Sequence, residues 1–496
     1  MYLSKSKYTQ VWSCPKAAWL NKNKPEIAPV DENTRARMQT GIEVGALARG
    51  LFGDYVDVTV KDPDGHLNLS QMIENTKREM TAGTSVICEA SFSHEGLYCA
   101  VDLLRKDGSG WAVYEVKSST DPHQDIYIAD ISYQKYVLEK CGVPVTRVYL
   151  ITLNGQYVFD GTLKLQDLFM ITDMTSEASG EVSNVPATLK IAECVLNSDH
   201  EPAMDLGEAC LDCAFWSYCT KHLPKPNVFD LYRLSKGKKL DYYRKGLISF
   251  DALQSSGVIR NDKQRRQMDY ALAERGTWID RKKIQEFLAT LSYPLYFLDF
   301  ESIQPAVPFC VGTKPYAQIP FQYSLHYIET EGGDLLHKEF LAESGTDPRR
   351  DIAEALCRDI PKNVCVTAYN KSFECTRLRE LAAAYPYLSP HLTNIADHII
   401  DLLVPFQSGY YYNRAMGGSF SVKSVLPAIY PDDPSLDYHN LEGVHNGGEA
   451  MSIFPQIQFM GPAEQQTARQ NLLKYCELDT YAMVKIWEEL RRAASD

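Results

Sequence analysis

The stretch from Ser85 to Asn154 constrains the fold more than any other. SVICEASFSHEGLYCAVDLLRKDGSGWAVYEVKSS reads as three strands joined by Gly- or Asp-bearing turns. DIYIADISYQKYVLEKCG reads as an amphipathic helix that stops at Gly142, with Pro144 just beyond. PVTRVYLITLN follows as a further strand. A β-β-β-α-β order predicts a mixed sheet with a helix packed on it, and so an α/β fold.

At roughly 100–200 residues per domain, a chain of 496 residues predicts two to four domains. There is no internal repeat and no long low-complexity tract. Three regions differ in character. Residues 1–224 open with a short helical patch and continue into the β-rich text above. Residues 225–290 read as mostly helical and carry 15 Lys and Arg against 8 Asp and Glu. This suits a solvated helical connector, or a phosphate-tracking bridge between two active domains. Residues 291–496 start a second α/β unit, in which YPLYFLDFES, IPFQYSLHYIET and HKEFLAE form a sheet. Its last segment, QTARQNLLKYCELDTYAMVKIWEELRRAA, has strong helical periodicity.

A net charge of −13 weighs against a simple polyanion-coating protein. It does not exclude nucleic acid, because clustered carboxylates hold divalent ions that contact phosphate. No uncharged apolar run approaches the roughly 18 residues of a membrane-spanning helix. MYLSKSKYTQ lacks the apolar core of a secretory signal, so a cytoplasmic location is expected. The 13 cysteines then point to metal ligation or buried thiols rather than disulfides. Four stand out: Cys14, and Cys210, Cys213 and Cys219 in the C-x2-C-x5-C run of GEACLDCAFWSYCTKH. Four thiolates suit a structural zinc or an iron–sulfur cluster. Unrelated buried cysteines are the alternative, and the other nine read most simply as core thiols.

Two sets of acids suggest chemistry. Strand alternation in YEVKSS places Glu115 and Lys117 on one face with Val116 turned away, and Asp102 comes from the preceding strand. Two carboxylates and an ammonium at strand ends suit Mg2+ and an activated water. Further along, FLDFES presents Asp299 and Glu301 on one strand face. TAYNKSFE holds Asn370 and Glu374 near an expected helix start. YCELDTYAM puts Tyr475 and Asp479 on one helical face. Acids drawn from distant segments make sense if they share two metal ions about 4 Å apart, which stabilise both the attacking and the leaving oxygen of a phosphodiester.

SKSKYTQVWSCPKAAWL followed much later by C-x2-C-x5-C resembles the RecB-type iron–sulfur nucleases, among them the CRISPR-associated exonucleases and AddB. The resemblance implies a restriction-endonuclease-like PD-(D/E)xK domain over residues 1–224. It also implies a 4Fe-4S cluster on Cys14, Cys210, Cys213 and Cys219 that clips the ends of that domain together. Asp102, Glu115 and Lys117 match the family's D…E-x-K pattern, and Gln134 its glutamine motif. Asp130 and Tyr136 flank Gln134 as supporting residues, and Glu89 stands on the first strand. Relatives commonly carry a metal-binding histidine in an early helix; TGIEVGALARGLF has Ile42 there, with Glu43 beside it.

The C-terminal motifs, D-x-E, N-x2-F-E and Y-x3-D, resemble the DEDDy exonucleases of the RNase H-like superfamily. By that resemblance Asp299, Glu301, Glu374 and Asp479 hold Mg2+ or Mn2+, and Tyr475 orients the attacking water. Glu374 stands where aspartate is usual. Asp401 and Lys423 sit where such enzymes have supporting elements. Together the halves resemble a bacterial family that fuses the two nuclease types. The expectation is a metal-dependent DNA nuclease with two active sites, the second trimming 3′ to 5′, in repair, recombination or phage defence. RNA as substrate is an alternative, as is an impaired nucleic-acid-binding module that recruits a helicase. No G-x4-G-K-[ST] loop is present, so no ATP-driven motor is expected.

Overall fold

Alternating apolar residues drive two separate sheets. In the computed structural model, which describes residues 3–495, the fold is mixed α/β. The chain divides into two compact units. One runs up to Leu206 and takes in Pro305–Ala317; the other comprises Gly207–Gln304 and the chain from Gln318 onward. The three-cysteine run and the basic segment 225–290 therefore belong to the second unit. No helix among the described residues is long and apolar enough to cross a membrane.

The first unit holds seven strands: β1 (Leu3–Ser4), β2 (Val56–Asp57), β3 (Val86–His94), β4 (Leu97–Asp107), β5 (Gly110–Lys117), β6 (Val145–Leu153) and β7 (Phe169–Asp173). They are ordered β2-β3-β4-β5-β6-β7, with β1 paired beside β4. The β3-β4-β5 meander is antiparallel and β6 runs parallel to β5. The parallel step is made possible by the crossover helix Asp125–Lys140. That helix buries Ala129, Ile131, Tyr133, Val137 and Leu138 against Ile87, Val113, Val148 and Leu150 on one face of the sheet. The opposite face, with Cys88, Leu103, Ala112, Tyr114 and Ile151, is covered by Val44 and Ala48 of the helix Glu32–Ala48.

Strict alternation fails at one place. The β3–β4 ladder skips Glu89 and Asp102, and Glu89 takes a left-handed φ of +56°. Beyond that kink both strands exchange faces. Ala90 and Val101 pack with Ile87 and Leu104, while Cys88 and Leu103 pack on the other side.

The second unit's main sheet has β9 (Leu295–Ile303), β10 (Ile319–Ile328), β11 (Leu336–Leu341), β12 (Cys365–Ala368) and β13 (Ile399–Asp401). Their order is β11-β10-β9-β12-β13, antiparallel from β11 to β9 and parallel from β9 to β13. A small ribbon pairs β8 (Thr277–Ile279) with β14 (Tyr411–Asn413). Tyr296, Leu298 and Phe300 of β9 pack beneath the helices Arg349–Asp359, Ser372–Ala384 and Ser389–Asp397. The alternate residues face the long C-terminal helix Pro462–Ser495, where Phe297 meets Trp487 with ring centroids 5.8 Å apart. Asp299 and Glu301 share that second face.

The segment 225–290 forms the helices Lys236–Arg244, Phe250–Ser256, Asp262–Leu272 and Arg281–Leu288. Part of its basic charge is structural. Lys263 donates to the Gln407 carbonyl at 2.6 Å, and Arg266 stacks over Trp278 at 4.3 Å.

Candidate active sites

In the first unit the β4–β5 ladder ends at Leu103 and Tyr114, leaving Asp102 and Glu115 one step past the last laddered pair. The backbone N–H of Val116 donates to Asp102 Oδ2 at 2.7 Å. Glu115 and Lys117 continue the face of Val113, which packs on the Asp125–Lys140 helix, so they meet that helix's Asp130 and Gln134. Gln134 Nε2 donates to Glu115 Oε2 at 2.8 Å and to Asp130 Oδ1 at 3.0 Å. Lys117 Nζ lies 2.8 Å from Glu115 Oε1 and 2.6 Å from Asp130 Oδ2.

Sequence reasoning missed Lys5. This residue opens the helix Lys5–Ser13, whose start is capped by Ser4. Its Nζ lies 2.8 and 2.9 Å from the two oxygens of Glu115, and 3.6 Å from Asp102 Oδ1. A cation of the chain itself thus lies between the two carboxylates. Burial works to raise the Glu115 carboxyl, but Lys117 and Lys5 outweigh it and hold the group far below the usual range. Asp102 is pushed up to about 7 by burial and by Glu115. Burial lowers Lys5, but Asp102, Glu115 and Asp130 override it, so the ammonium stays charged. No local signal marks Lys5, because its partner stands 110 positions away.

The flanking positions have other roles. Glu89 pairs with Arg49 at 3.0 Å. Ile42 is exposed, and Glu43 accepts from Gln39 of its own helix at 3.0 Å. Tyr136 lies under Lys140, 5.4 Å from its ring centroid.

The second acidic set is balanced differently. Asp299 and Glu301 on β9 and Asp479 on the C-terminal helix each offer a carboxylate oxygen, and these atoms lie within 4.8 Å of one another. Glu374 comes from the first turn of the helix after β12; it is buried, and its Oε2 has no hydrogen-bond partner. Burial raises all four carboxyls, and repulsion from neighbouring acids of the set adds to it at Asp299 and Glu301. Asp299 rises well above the carboxylate range through burial, Asp479, Glu374 and Glu301. Glu301 rises through burial and Asp479. Burial takes Glu374 to about 8, and it takes Asp479 to about 6 against the hydrogen bond from Tyr438. Lys423 is the cation that opposes the rise at Asp299 and Glu301.

Tyr438 is the other residue the sequence did not flag. It lies in the Pro- and Asp-rich loop YPDDPSLDYHN, which carries no periodicity. Its hydroxyl donates to Asp479 Oδ1 at 2.6 Å, and the nearby Tyr475 phenol also works to lower that carboxyl. Burial, then Asp479, pushes the Tyr475 phenol far above its ordinary range. Lys423 Nζ stands 4.9 Å from the Tyr438 ring centroid and 5.5 Å from that of Tyr475. Gly447 approaches closely enough that a Cβ would sit 3.4 Å from Glu301 Oε2. Asn370 precedes the helix rather than starting it, with a left-handed φ of +67°. Asp401 caps this turn, accepting from the backbone N–H groups of Asn370 at 2.9 Å and Lys371 at 3.3 Å.

Cys14 belongs to the first unit, and Cys210, Cys213 and Cys219 to the second. All four are partly exposed, whereas Cys88, Cys99, Cys310, Cys365, Cys375 and Cys476 are buried. Cys194 departs from the core-thiol expectation by being exposed. Cys14 Sγ accepts from the Ala17 N–H at 3.4 Å, and Cys210 Sγ from the Gly207 N–H at 3.3 Å.

Residues 296–421 match a family described as "Domain of unknown function (DUF2779)". The match takes in Asp299, Glu301, Glu374 and Asp401 and stops before Tyr475 and Asp479. A stretch of 235 residues is 27% identical to "Uncharacterized protein MG366 homolog" of Mycoplasma pneumoniae, covering 42% of this chain and 35% of that protein. The chain thus spans about a third of the length of this curated relative.

Proposed function

We propose that this chain is a metal-dependent nuclease whose principal centre is the Asp299–Glu301–Glu374–Asp479 set, acting as a 3′-to-5′ exonuclease on DNA. One observation carries the reading: the carboxylates of Asp299, Glu301 and Asp479 meet within 4.8 Å, the last two buried, the buried Glu374 acts electrostatically on Asp299, and the chain supplies far less positive charge than these acids carry. Such a group is stable in ionised form only with cations added. The oxygen-only donor set and the unpartnered Glu374 Oε2 fit Mg2+ or Mn2+. Bound ions would polarise the scissile phosphate and lower the pKa of the attacking water. Asp479 is held in place by Tyr438. Tyr475 keeps its proton and so orients a water by hydrogen bonding rather than acting as a base. Lys423 would offset phosphate charge.

The donors at Asp102 and Glu115 would also suit Mg2+, and Lys117 would stabilise developing charge there. A metal at these carboxylates has to displace Lys5. That observation favours a second reading for the first unit alone, a catalytically closed module that binds nucleic acid and docks a partner such as a helicase. The N–H···S bond to Cys210 suits a thiolate ligand, and the Cys210, Cys213 and Cys219 run is proposed as the second unit's contribution to a structural 4Fe-4S cluster.

The test uses anaerobically purified full-length protein with 3′- and 5′-end-labelled single-stranded DNA, and matched RNA, in Mg2+ or Mn2+. Expected is nucleotide release from DNA that is abolished by Asp299→Asn and retained in Asp102→Asn. Failure of the wild type to release nucleotides from either polymer rejects the proposal, and release from RNA alone moves it to RNA processing.

A further inference from the structure

Ser324 on β10 and Thr480 on the C-terminal helix bring their hydroxyls to 2.6 Å, and both residues are buried. Two imidazoles flank the pair. His326 and His337 stand directly opposite each other across the β10–β11 ladder, with ring centroids 4.5 Å apart. His326 Nδ1 lies 2.8 Å from Thr480 Oγ1, and His337 Nε2 lies 2.9 Å from Ser324 Oγ. Glu477 precedes Thr480 by one turn of the same helix. A carboxylate oxygen of Glu477 and a ring nitrogen of each histidine all lie within 4.8 Å of one another.

The protons of this network have one consistent arrangement. Thr480 Oγ1 donates to the Glu477 carbonyl at 3.1 Å, and a carbonyl only accepts. That uses its single proton, so Oγ1 accepts from both Ser324 and His326. Ser324 has then spent its own proton on Thr480, and accepts from His337. The network therefore assigns the proton to Nδ1 of His326 and to Nε2 of His337. Nε2 of His326 and Nδ1 of His337 are the ring nitrogens that the network leaves over. An outer hydrogen bond that sets the tautomer and aims the ring is the usual support of a ligating histidine. Burial, with His337 adding to it, pushes His326 down to about 4, so its imidazole is neutral near pH 7.

We infer that His326, His337 and Glu477 form a separate metal site for a Zn2+-like transition ion. Two imidazoles and one carboxylate match zinc with water as a fourth ligand, while Mg2+ and Ca2+ prefer all-oxygen sets. The ion would pin the C-terminal helix to β10 and β11. It would thereby hold the helix that carries Asp479 to the strand whose Ser324 pairs with Asp299.

The test is equilibrium dialysis of metal-stripped full-length protein against Zn2+ alone, with Co2+ as the spectroscopic probe. Wild type should hold one more Zn2+ equivalent than His337→Ala or Glu477→Gln, and Asp299→Asn should retain that equivalent. The cobalt spectrum lost in Glu477→Gln should show visible bands without thiolate-to-metal charge transfer. Thr480→Val should weaken the site roughly 10- to 100-fold, the usual cost of losing an outer-shell partner. Glu477 is exposed, so its variant is informative even if His337→Ala misfolds. Equal zinc equivalents and affinity in wild type and Glu477→Gln would overturn the assignment.

Discussion

Replacing Lys5 with methionine isolates the feature that most separates the two acidic sets. Lys5 Nζ makes contacts of 2.8 and 2.9 Å with a Glu115 carboxylate whose side chain is 3% exposed, while the lysine side chain itself is 22% exposed. Removing one partner of a buried ion pair costs about 3–5 kcal/mol. Glu115 keeps Lys117 and Gln134, and Lys5 is partly solvated, so the lower end applies, about 3 kcal/mol. At roughly 2–4 °C per kcal/mol for a unit of this size, the first unit's melting transition should fall by about 6–12 °C in EDTA. The same substitution removes the ammonium from between Asp102 and Glu115. Mn2+ at about 100 times its Kd would then return about 2.7 kcal/mol. Wild type has to expel an ammonium first and gains less. Thermal unfolding of both proteins in an Asp299→Asn background, with EDTA and with Mn2+, measures both quantities. Unchanged melting of Lys5→Met in EDTA would refute the pairing energy. Equal Mn2+ shifts in the two proteins would refute the competition between lysine and metal.

The four raised carboxyls of the second unit predict a pH dependence of definite sign. Glu374 rises from 4.5 to about 8 and Asp479 from 3.8 to about 6, so the folded chain binds more protons than the unfolded one between these limits. Metal-free stability therefore falls as pH rises from about 4 to about 8, Asp479 alone accounting for about 3 kcal/mol. Melting curves in EDTA should show this fall, and Mg2+ should flatten it because metal binds the deprotonated acids. Tyr438→Phe removes the 2.6 Å bond to Asp479 and should lower kcat roughly 10-fold, or about 1.4 kcal/mol, with little effect on KM, read by steady-state nucleotide release. Anaerobic protein should carry about four iron and four sulfide per chain, lost together with its visible absorption in Cys213→Ser; stoichiometric zinc in their place would reject the cluster.

What was legible in the chain is what local periodicity encodes. Asp299 and Glu301 fall on one strand face because Tyr296, Leu298 and Phe300 bury the other. Tyr475 and Asp479 share a helix face because they are one turn apart. Glu115 and Lys117 followed from alternation for the same reason. Alternation misleads at Asp102, where the Glu89 kink exchanges the faces of two strands and no residue type announces it, since a glutamate at φ +56° is not a turn signal. The larger gap is electrostatic. In sequence, D…E-x-K and D-x-E look like equivalent carboxylate pairs awaiting metal. Folding gives the first a second ammonium from Lys5, 110 residues before Glu115, and gives the second Tyr438 and Tyr475 with Lys423 beside them. Motif spacing is blind to that difference, because a counter-ion reaches its partner through space. It is nevertheless the difference that leaves the second set with the larger uncompensated negative charge.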